Sequence, residues 1–354
     1  MQFGVSFPTY VRAWQDVQRA EDYGFTHAWF DDSHMCYSDV FCTMALAAEH
    51  SSHIKLGTFV VVAGNRAAPT VATAMATLNE LAPGRVIFGI GTGFSARNVM
   101  GMPARPLSVL KDDVAVFRKL TTGGEATYRE GERVREIRFL HPEMGFINVR
   151  DPIPVYVAAN APKAIKAVGE LNAEGWIAVT NDPGFVRDGI KGIKAAGGSG
   201  GSLDTVALVG ACVMRPGEKV MSPRVVDRMG SWAMLTLHTI WSPEKIPVGP
   251  FAPPSLYDLA KRYRDECIMK MSTPMEKRFQ EIHSGHLIFV KPEERRFVTE
   301  DLIRATSLVG SGAEIIEKLK ALEEAGATSI VFRVTGTDGR ELISEIGREI
   351  IAKY

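Results

Sequence analysis

PVYVAANAPKAIKAVGELNAEGWIAV, Pro154–Val179, decides the fold. An apolar run of strand length, Pro154–Ala158, meets small residues and a proline. A helical pattern follows over Pro162–Leu171, and a second apolar run closes the unit at Gly175–Val179. Proline suits the first turn of a helix, and strands apolar on both faces suit a parallel sheet covered by helices. The stretch therefore reads as one β-α-β crossover.

The alternation continues both ways. Upstream, strands are predicted at Gln2–Phe7, Thr26–Phe30, Ile54–Val62 (IKLGTFVVV) and Arg85–Ile90. Helices are predicted between and after them, around Trp14–Tyr23 and over Asp39–His50, Pro69–Leu81 and Leu107–Leu120. Downstream come a helix at Phe185–Ala196, a strand at Thr205–Val213, a helix at Ala313–Ala325, a strand at Ser329–Val334 and a helix at Glu341–Ala352. Eight such alternations predict an α/β fold of the (β/α)8 TIM-barrel type, with a doubly wound open sheet as the alternative.

Two stretches break the pattern. Thr121–Asp151 has polar alternation and several glycines, and reads as an extended excursion or hairpin. Arg215–Thr306 reads as a mostly helical insertion after the seventh strand, lying over the barrel mouth, with Trp232, Trp241 and Phe251 as an apolar wall or as core. The Gly197–Gly201 stretch (GGSGG) is a flexible turn. The expectation is one domain over 1–354, with insertions at about 121–151 and 215–306.

Lys+Arg and Asp+Glu are both 41, so the formal net charge is zero and no excess calls for nucleic acid. Zero net charge is permissive of self-association, and a homodimer is expected. Cys36, Cys42, Cys212 and Cys267 are scattered without CxxC spacing, as expected of reduced thiols in a cytoplasmic protein. The opening MQFGVSFPTY has no basic segment followed by an apolar run, so no signal peptide is expected, and no apolar stretch is long enough to span a membrane.

In a barrel the chemistry gathers where strands end. The second strand ends in Asp31-Asp32-Ser33-His34, where a histidine suits proton transfer near neutral pH and the aspartates suit catalysis or helix capping. The third ends in Val61-Val62-Ala63-Gly64-Asn65-Arg66, a tight turn with Gly64 at positive φ, or a bulge that lets backbone approach a planar cofactor. Arg66 suits a phosphate or a carboxylate. The fourth ends in Gly91-Thr92-Gly93, whose small residues make room. Phe94 stands where GxGxxG needs glycine, and Pro103 and Pro106 delay the next helix. After the fifth strand, Ala159-Asn160-Ala161 runs into a helix N-terminus, a phosphate cradle reinforced by Lys163 or a turn capped by Asn160. The sixth ends in Val179-Thr180. In the insertion, His283 and His286 form HxxH with Glu281 nearby, but no third ligand stands at a telling distance. No metal is assigned, and a histidine facing the mouth, His286, is the preferred reading. Walker A, HExxH and a GxSxG nucleophile elbow are all missing, the GGSGG at 197–201 being a flexible turn ahead of a strand, which removes support for hydrolase and nucleotide-phosphate chemistry.

Five segments, in order, carry a resemblance. They are AWFDDSHM (28–35), DVFCTMALAAEHSSHIKLGT (39–58), NRAAPTVATAMATLNELAPGRVIFGIGTGFSA (65–96), PIPVYVAANAPKAIKAVGE (152–170) and LVGSGAEIIEKLKALEEAGATSIVF (308–332). Together they resemble the luciferase-like monooxygenase superfamily, above all its methylenetetrahydromethanopterin reductase-like branch, which uses the deazaflavin F420. The resemblance implies a ring-binding site at the barrel mouth. It implies a bulge after strand three, often with a non-proline cis peptide, for which Val61, Val62 and Ala63 are the candidates. It maps the phosphate-binding turn onto Ala159, Asn160 and Ala161, and the polar strand-two positions onto Asp32, Ser33 and His34. Asn65, Gly91, Thr92, Gly93, Val179 and Thr180 complete the expected cofactor site. Many relatives have histidine where this chain has Ser33, and some have a glutamate after strand four where 91–106 has none. The implied proton donor is then His34, His283 or His286, with Asp32 beside the first. The implied activity is hydride transfer between F420 and a small organic substrate. The alternatives are an FMN-dependent monooxygenase using O2 with a partner flavin reductase, and a non-catalytic flavin-binding protein of the same fold.

Overall fold

A computed structural model of the chain describes residues 1–198, 203–240, 254–335 and 339–354. Trp241, Phe251 and most of the GGSGG turn lie outside the described residues.

The strands are β1 (Gln2–Phe7), β2 (His27–Phe30), β3 (Lys55–Thr58), β4 (Val61–Val62), β5 (Val86–Gly91), β6 (Ala126–Glu130), β7 (Arg133–Ile137), β8 (Val155–Ala158), β9 (Gly175–Val179), β10 (Asp204–Val213), β11 (Ser307–Gly310) and β12 (Ser329–Arg333). The parallel order β1-β2-β3-β5-β8-β9-β10-β12 returns to β1, so the sheet closes on eight strands as the alternation predicted. Closure leaves the eight-stranded ring without a free edge.

The barrel interior is filled. Trp29, Ile87, Tyr156, Ile177, Val206 and Val331 are buried in one cluster inside the ring. Glycine makes that packing achievable. A Cβ on Gly57 would meet the Trp29 ring at 2.3 Å, and one on Gly175 would meet the Tyr156 ring at 2.4 Å. The outer core packs the strands' other faces against the surrounding helices.

The segment read as a hairpin is one. β6 and β7 pair antiparallel across a two-residue turn in which Gly131 has φ 59°. The later insertion is mostly helical, as expected, with helices at Pro223–Ile240, Tyr257–Glu266, Arg278–Ile282 and Glu300–Thr306. It has its own core, in which Met229, Leu237, Tyr263, Phe297 and Leu302 are buried.

Three expectations are corrected. Ile54–Val62 is not one strand, because β3 ends at Thr58 and β4 resumes at Val61. A short helix, Ser95–Asn98, follows β5 at once, ahead of Pro103 and Pro106. An additional strand, β11, pairs with the last four residues of β10, beyond the point where the pairing of β10 with β9 ends at Leu208. Four residues wedged between two helices give too short a period to be read as a strand.

A candidate active site at the barrel mouth

A cavity of about 320 Å³ opens at the C-terminal ends of the strands. Its back wall is the break in β3. Three residues, Thr58–Val60, face two on β5, so the chain bulges inward. The Thr58 side chain replaces the lost ladder: its Oγ1 donates to the Gly89 carbonyl (2.7 Å) and accepts from the Gly89 N–H (2.9 Å). The peptide Phe59–Val60 is cis, and both side chains line the cavity. The cis bond thus lies just before the Val61–Ala63 positions expected from sequence. Gly89 must be glycine, since a Cβ there would stand 2.0 Å from the Thr58 carbonyl oxygen.

One end of the cavity is charged. Asp31 follows β2 directly and Arg333 ends β12. Their side chains are buried and joined, with Arg333 Nη1 2.6 and 2.7 Å from the two carboxylate oxygens. Burial raises the Asp31 pKa above the ordinary carboxylate value, against the pull of Arg333 and with a further push from Asp32. Nε and Nη2 of Arg333 are buried with no hydrogen bond of ordinary geometry, and the Tyr37 hydroxyl is the neighbouring polar group. Asp32, also buried, is held by Arg66, which reaches Asp39 at 3.0 Å with its other arm. Asp39 in turn caps Val40–Glu49 by accepting from the Phe41 and Cys42 N–H groups. The capping role offered for the aspartates therefore falls to Asp39, and the anion that Arg66 meets is protein carboxylate.

The opposite end is built from small residues. Ala158 ends β8, Ala159 and Asn160 follow it, and Ala161 takes the N-cap position of the helix Pro162–Glu170. The first N–H groups of any helix have no intrahelical partner, so this end of the cavity favours an anion. Asn160 is not the cap, which corrects that expectation. Its side chain is spent bridging the Val179 backbone, donating to the carbonyl (2.9 Å) and accepting from the N–H (3.1 Å).

The insertion supplies the roof. Trp232 and Leu235, on the helix Pro223–Ile240, and Leu287 face the cavity. Trp232 fits because Gly210 leaves room for it, and its Nε1 donates to the Thr306 carbonyl (2.8 Å). His283 and His286 precede Leu287 in the chain and do not line the cavity. Burial holds His286 well below the usual imidazole pKa and lowers His283 to about 3, each also repelled by its neighbouring histidines.

Of the expected site residues, Asp32, Ser33, Val62, Gly91, Thr92, Gly93, Ala159, Asn160, Ala161 and Val179 line the cavity. Val61 and Ala63 point instead into the outer core. Asn65 lies to one side, accepting from Arg97 at 3.4 Å. Thr180 lines an adjoining hollow that shares Trp232 and Leu208 with the cavity. Neither His34, whose Nε2 lies 2.9 Å from Met100 Sδ, nor His286 lines the cavity. Sequence reasoning missed Asp31 as half of an ion pair, Arg333, and the Phe59–Val60 wall. A signal for the pair was present: an arginine inside the otherwise apolar run SIVFRV needs a buried counter-charge.

Residues 6–329 match the family model described as luciferase-like monooxygenase. A 5,10-methylenetetrahydromethanopterin reductase of Archaeoglobus fulgidus is 26% identical over 100% of this chain and 99% of its own. An F420-dependent glucose-6-phosphate dehydrogenase of Nakamurella multipartita is 27% identical over 74% of this chain and 80% of its own. Among solved structures, the coenzyme F420-dependent tetrahydromethanopterin reductase of Methanopyrus kandleri superposes with a TM-score of 0.71 at 21% identity, covering 100% of this chain and 99% of that one.

Proposed function

Because the chain belongs to the luciferase-like monooxygenase family, we propose that it is an F420-dependent oxidoreductase transferring a hydride between the deazaflavin and a small organic substrate. The observation that carries this reading is the arrangement of one cavity. An apolar wall, Phe59–Val60, runs between a helix N-terminus and a buried carboxylate–guanidinium pair. The reductase and dehydrogenase names of relatives aligned over most of the chain support it.

The residues fit such a cofactor. The cavity volume falls within the roughly 300–1,000 Å³ of small-molecule sites. Phe59, Val60 and Val62 offer a flat apolar wall to a ring. The turn Ala159–Ala161 and the helix behind it offer N–H groups to a phosphate. Glycine at 91 keeps the space open, since a Cβ there would stand 3.0 Å from Val60. When bound, the deazaflavin supplies or accepts the hydride.

The protein's own part is position, dryness and the proton. Trp232, Leu235 and Leu287 exclude water from above. Asp31, whose pKa is raised by burial, holds the proton that a substrate oxygen or nitrogen gains or gives up. Arg333 fixes that carboxyl and keeps two N–H donors for a polar substrate group. Asp31 thus takes the part for which His34 and His286 were candidates, since it lines the cavity and they do not.

Fluorescence titration of the purified protein with F420, and separately with FMN, tests the reading. Tight F420 and weak FMN binding is the expected result. Preference for FMN would move the protein to the oxygen-using monooxygenases, and binding of neither would end the cofactor assignment.

A further inference from the structure

We propose that His238, His283 and His286 form a site for a transition-metal dication of the zinc class, with Glu294 as its outer carboxylate. The three residues converge from distant positions. His238 lies near the end of the helix Pro223–Ile240, and the other two lie on the turn after Arg278–Ile282. One nitrogen from each lies within 4.8 Å of the other two. The ring centroids are 6.0 Å apart for His238–His283 and 5.3 Å for His283–His286.

The nitrogens are buried and unanswered. Both ring nitrogens of His286, Nδ1 of His283 and Nδ1 of His238 have no hydrogen-bond partner. His286 is 3% exposed and His238 is 6% exposed. A buried polar atom left without a partner is costly, and four of them on three rings whose nitrogens come within 4.8 Å of one another ask for a common ligand. A metal ion is such a ligand.

The surroundings match an outer ligand shell. Glu294 Oε1 accepts from His238 Nε2 at 2.9 Å, which fixes the tautomer and leaves Nδ1 with its lone pair free for a metal. Glu294 is itself held by the Tyr263 hydroxyl (2.7 Å) and by Lys291 Nζ (3.1 Å). Lys291 also donates to the Glu281 and Ile282 carbonyls, at 2.6 and 3.2 Å. Those two residues lead directly into His283, so one network places both sides of the site.

The donor set selects the metal. Three imidazoles without a carboxylate ligand suit zinc, copper, nickel or iron, and do not suit magnesium or calcium. Tetrahedral zinc at about 2.0–2.1 Å from nitrogen places its ligands roughly 3.4 Å apart, so the side chains draw in by about 1 Å on binding. Lys291 and Glu294 offset each other's charge, as do Arg333 and Asp31. The open fourth position therefore takes an anion or water. His283 is only partly buried and gives a path in. Bound there, the metal would join two elements of the cavity roof, since Leu235 and Leu287 each lie three residues or fewer from a ligand.

The test uses full-length protein stripped with chelator and carrying Cys36→Ser and Cys42→Ser, because both thiols are exposed. Equilibrium dialysis against zinc is expected to give one ion per chain, and cobalt is expected to give the visible bands of a tetrahedral site. His238→Gln or His283→Gln should weaken binding at least tenfold, Glu294→Gln by about 10–100-fold, and His53→Gln not at all. Circular dichroism verifies that each variant is folded, and the partly exposed His283 serves if His238→Gln is not. Substoichiometric binding by the parent, or binding indifferent to the histidine variants, would overturn the assignment. Neither readout needs F420, so failure here and failure of the cofactor reading are separate results.

Discussion

Replacing Arg333 with methionine keeps most of the side-chain stem and removes the charge that Asp31 faces. Asp31 is then a buried carboxyl without its partner, with Arg333 Nη1 no longer 2.6–2.7 Å away. Breaking a buried pair from one side costs about 3–5 kcal/mol. Unfolding entropy of about 2.1 cal/mol/K per residue gives this 354-residue chain roughly 0.7 kcal/mol per kelvin. The expected drop in Tm is therefore ~4–7 °C at neutral pH. The deficit depends on pH with a definite sign. The folded pKa of Asp31 already lies above the unfolded value, so the fold holds this proton more tightly than the unfolded chain does. Stability from this group is present at low pH and is lost as pH rises through the folded pKa. Arg333→Met raises that pKa further, so the deficit is small at about pH 4 and full at neutral pH. The double variant Asp31→Asn/Arg333→Met carries neither charge and should recover to within about 1–2 kcal/mol of the parent. Differential scanning calorimetry of the three proteins at several pH values measures all of this. A double variant as unstable as the single one, or a deficit flat in pH, would refute the reasoning.

Asp31→Asn should lower kcat by about 10²–10⁴-fold, the usual contribution of a general acid, while leaving F420 affinity nearly unchanged. In the parent, activity in the direction that protonates substrate should fall as pH rises through the raised Asp31 pKa, and stopped-flow rates against pH check this. Gly89→Ala places a Cβ 2.0 Å from the Thr58 carbonyl oxygen, so a loss of at least about 1–3 kcal/mol and weaker F420 binding are expected together, read by denaturant titration and fluorescence. Ser311→Ala removes a capping box in which Ser311 Oγ accepts from the Glu314 N–H and Glu314 accepts from the Ser311 N–H. It should cost about 1 kcal/mol of stability with no change in turnover.

The closed barrel was legible because its strands are apolar on both faces and its helices repeat at 3.6, a pattern that needs no long-range information. Ala159–Ala161 and Gly91–Gly93 were legible for the same local reason, being small residues at a strand end. What escaped was contact across the ring. Arg333 meets Asp31 from 302 residues away, and nothing in either neighbourhood names the other. His238 reaches His283 from 45 residues away, which is why HxxH alone stood short of a ligand. A bulge was expected after strand three, but its position at Phe59–Val60 escaped because LGTFVVV reads as one unbroken buried strand, and hydrophobicity is blind to a register shift on a strand buried on both faces. Val61 and Ala63 were expected at the cofactor for that reason and lie in the outer core instead.

The paired ends of the helical insertion bear on how such a protein acquires new substrates. The chain leaves the barrel along β10 and returns along β11, and those two strands are hydrogen-bonded side by side over Gly210–Val213 and Ser307–Gly310. Entry and exit thus share one doorway. A segment whose ends are already clasped together can be lengthened, shortened or exchanged without disturbing the wall it springs from, as with inserted domains whose termini lie close. The barrel keeps its cofactor-sized cleft while this segment alone is rewritten, so the inherited chemistry and the choice of substrate can evolve on separate clocks.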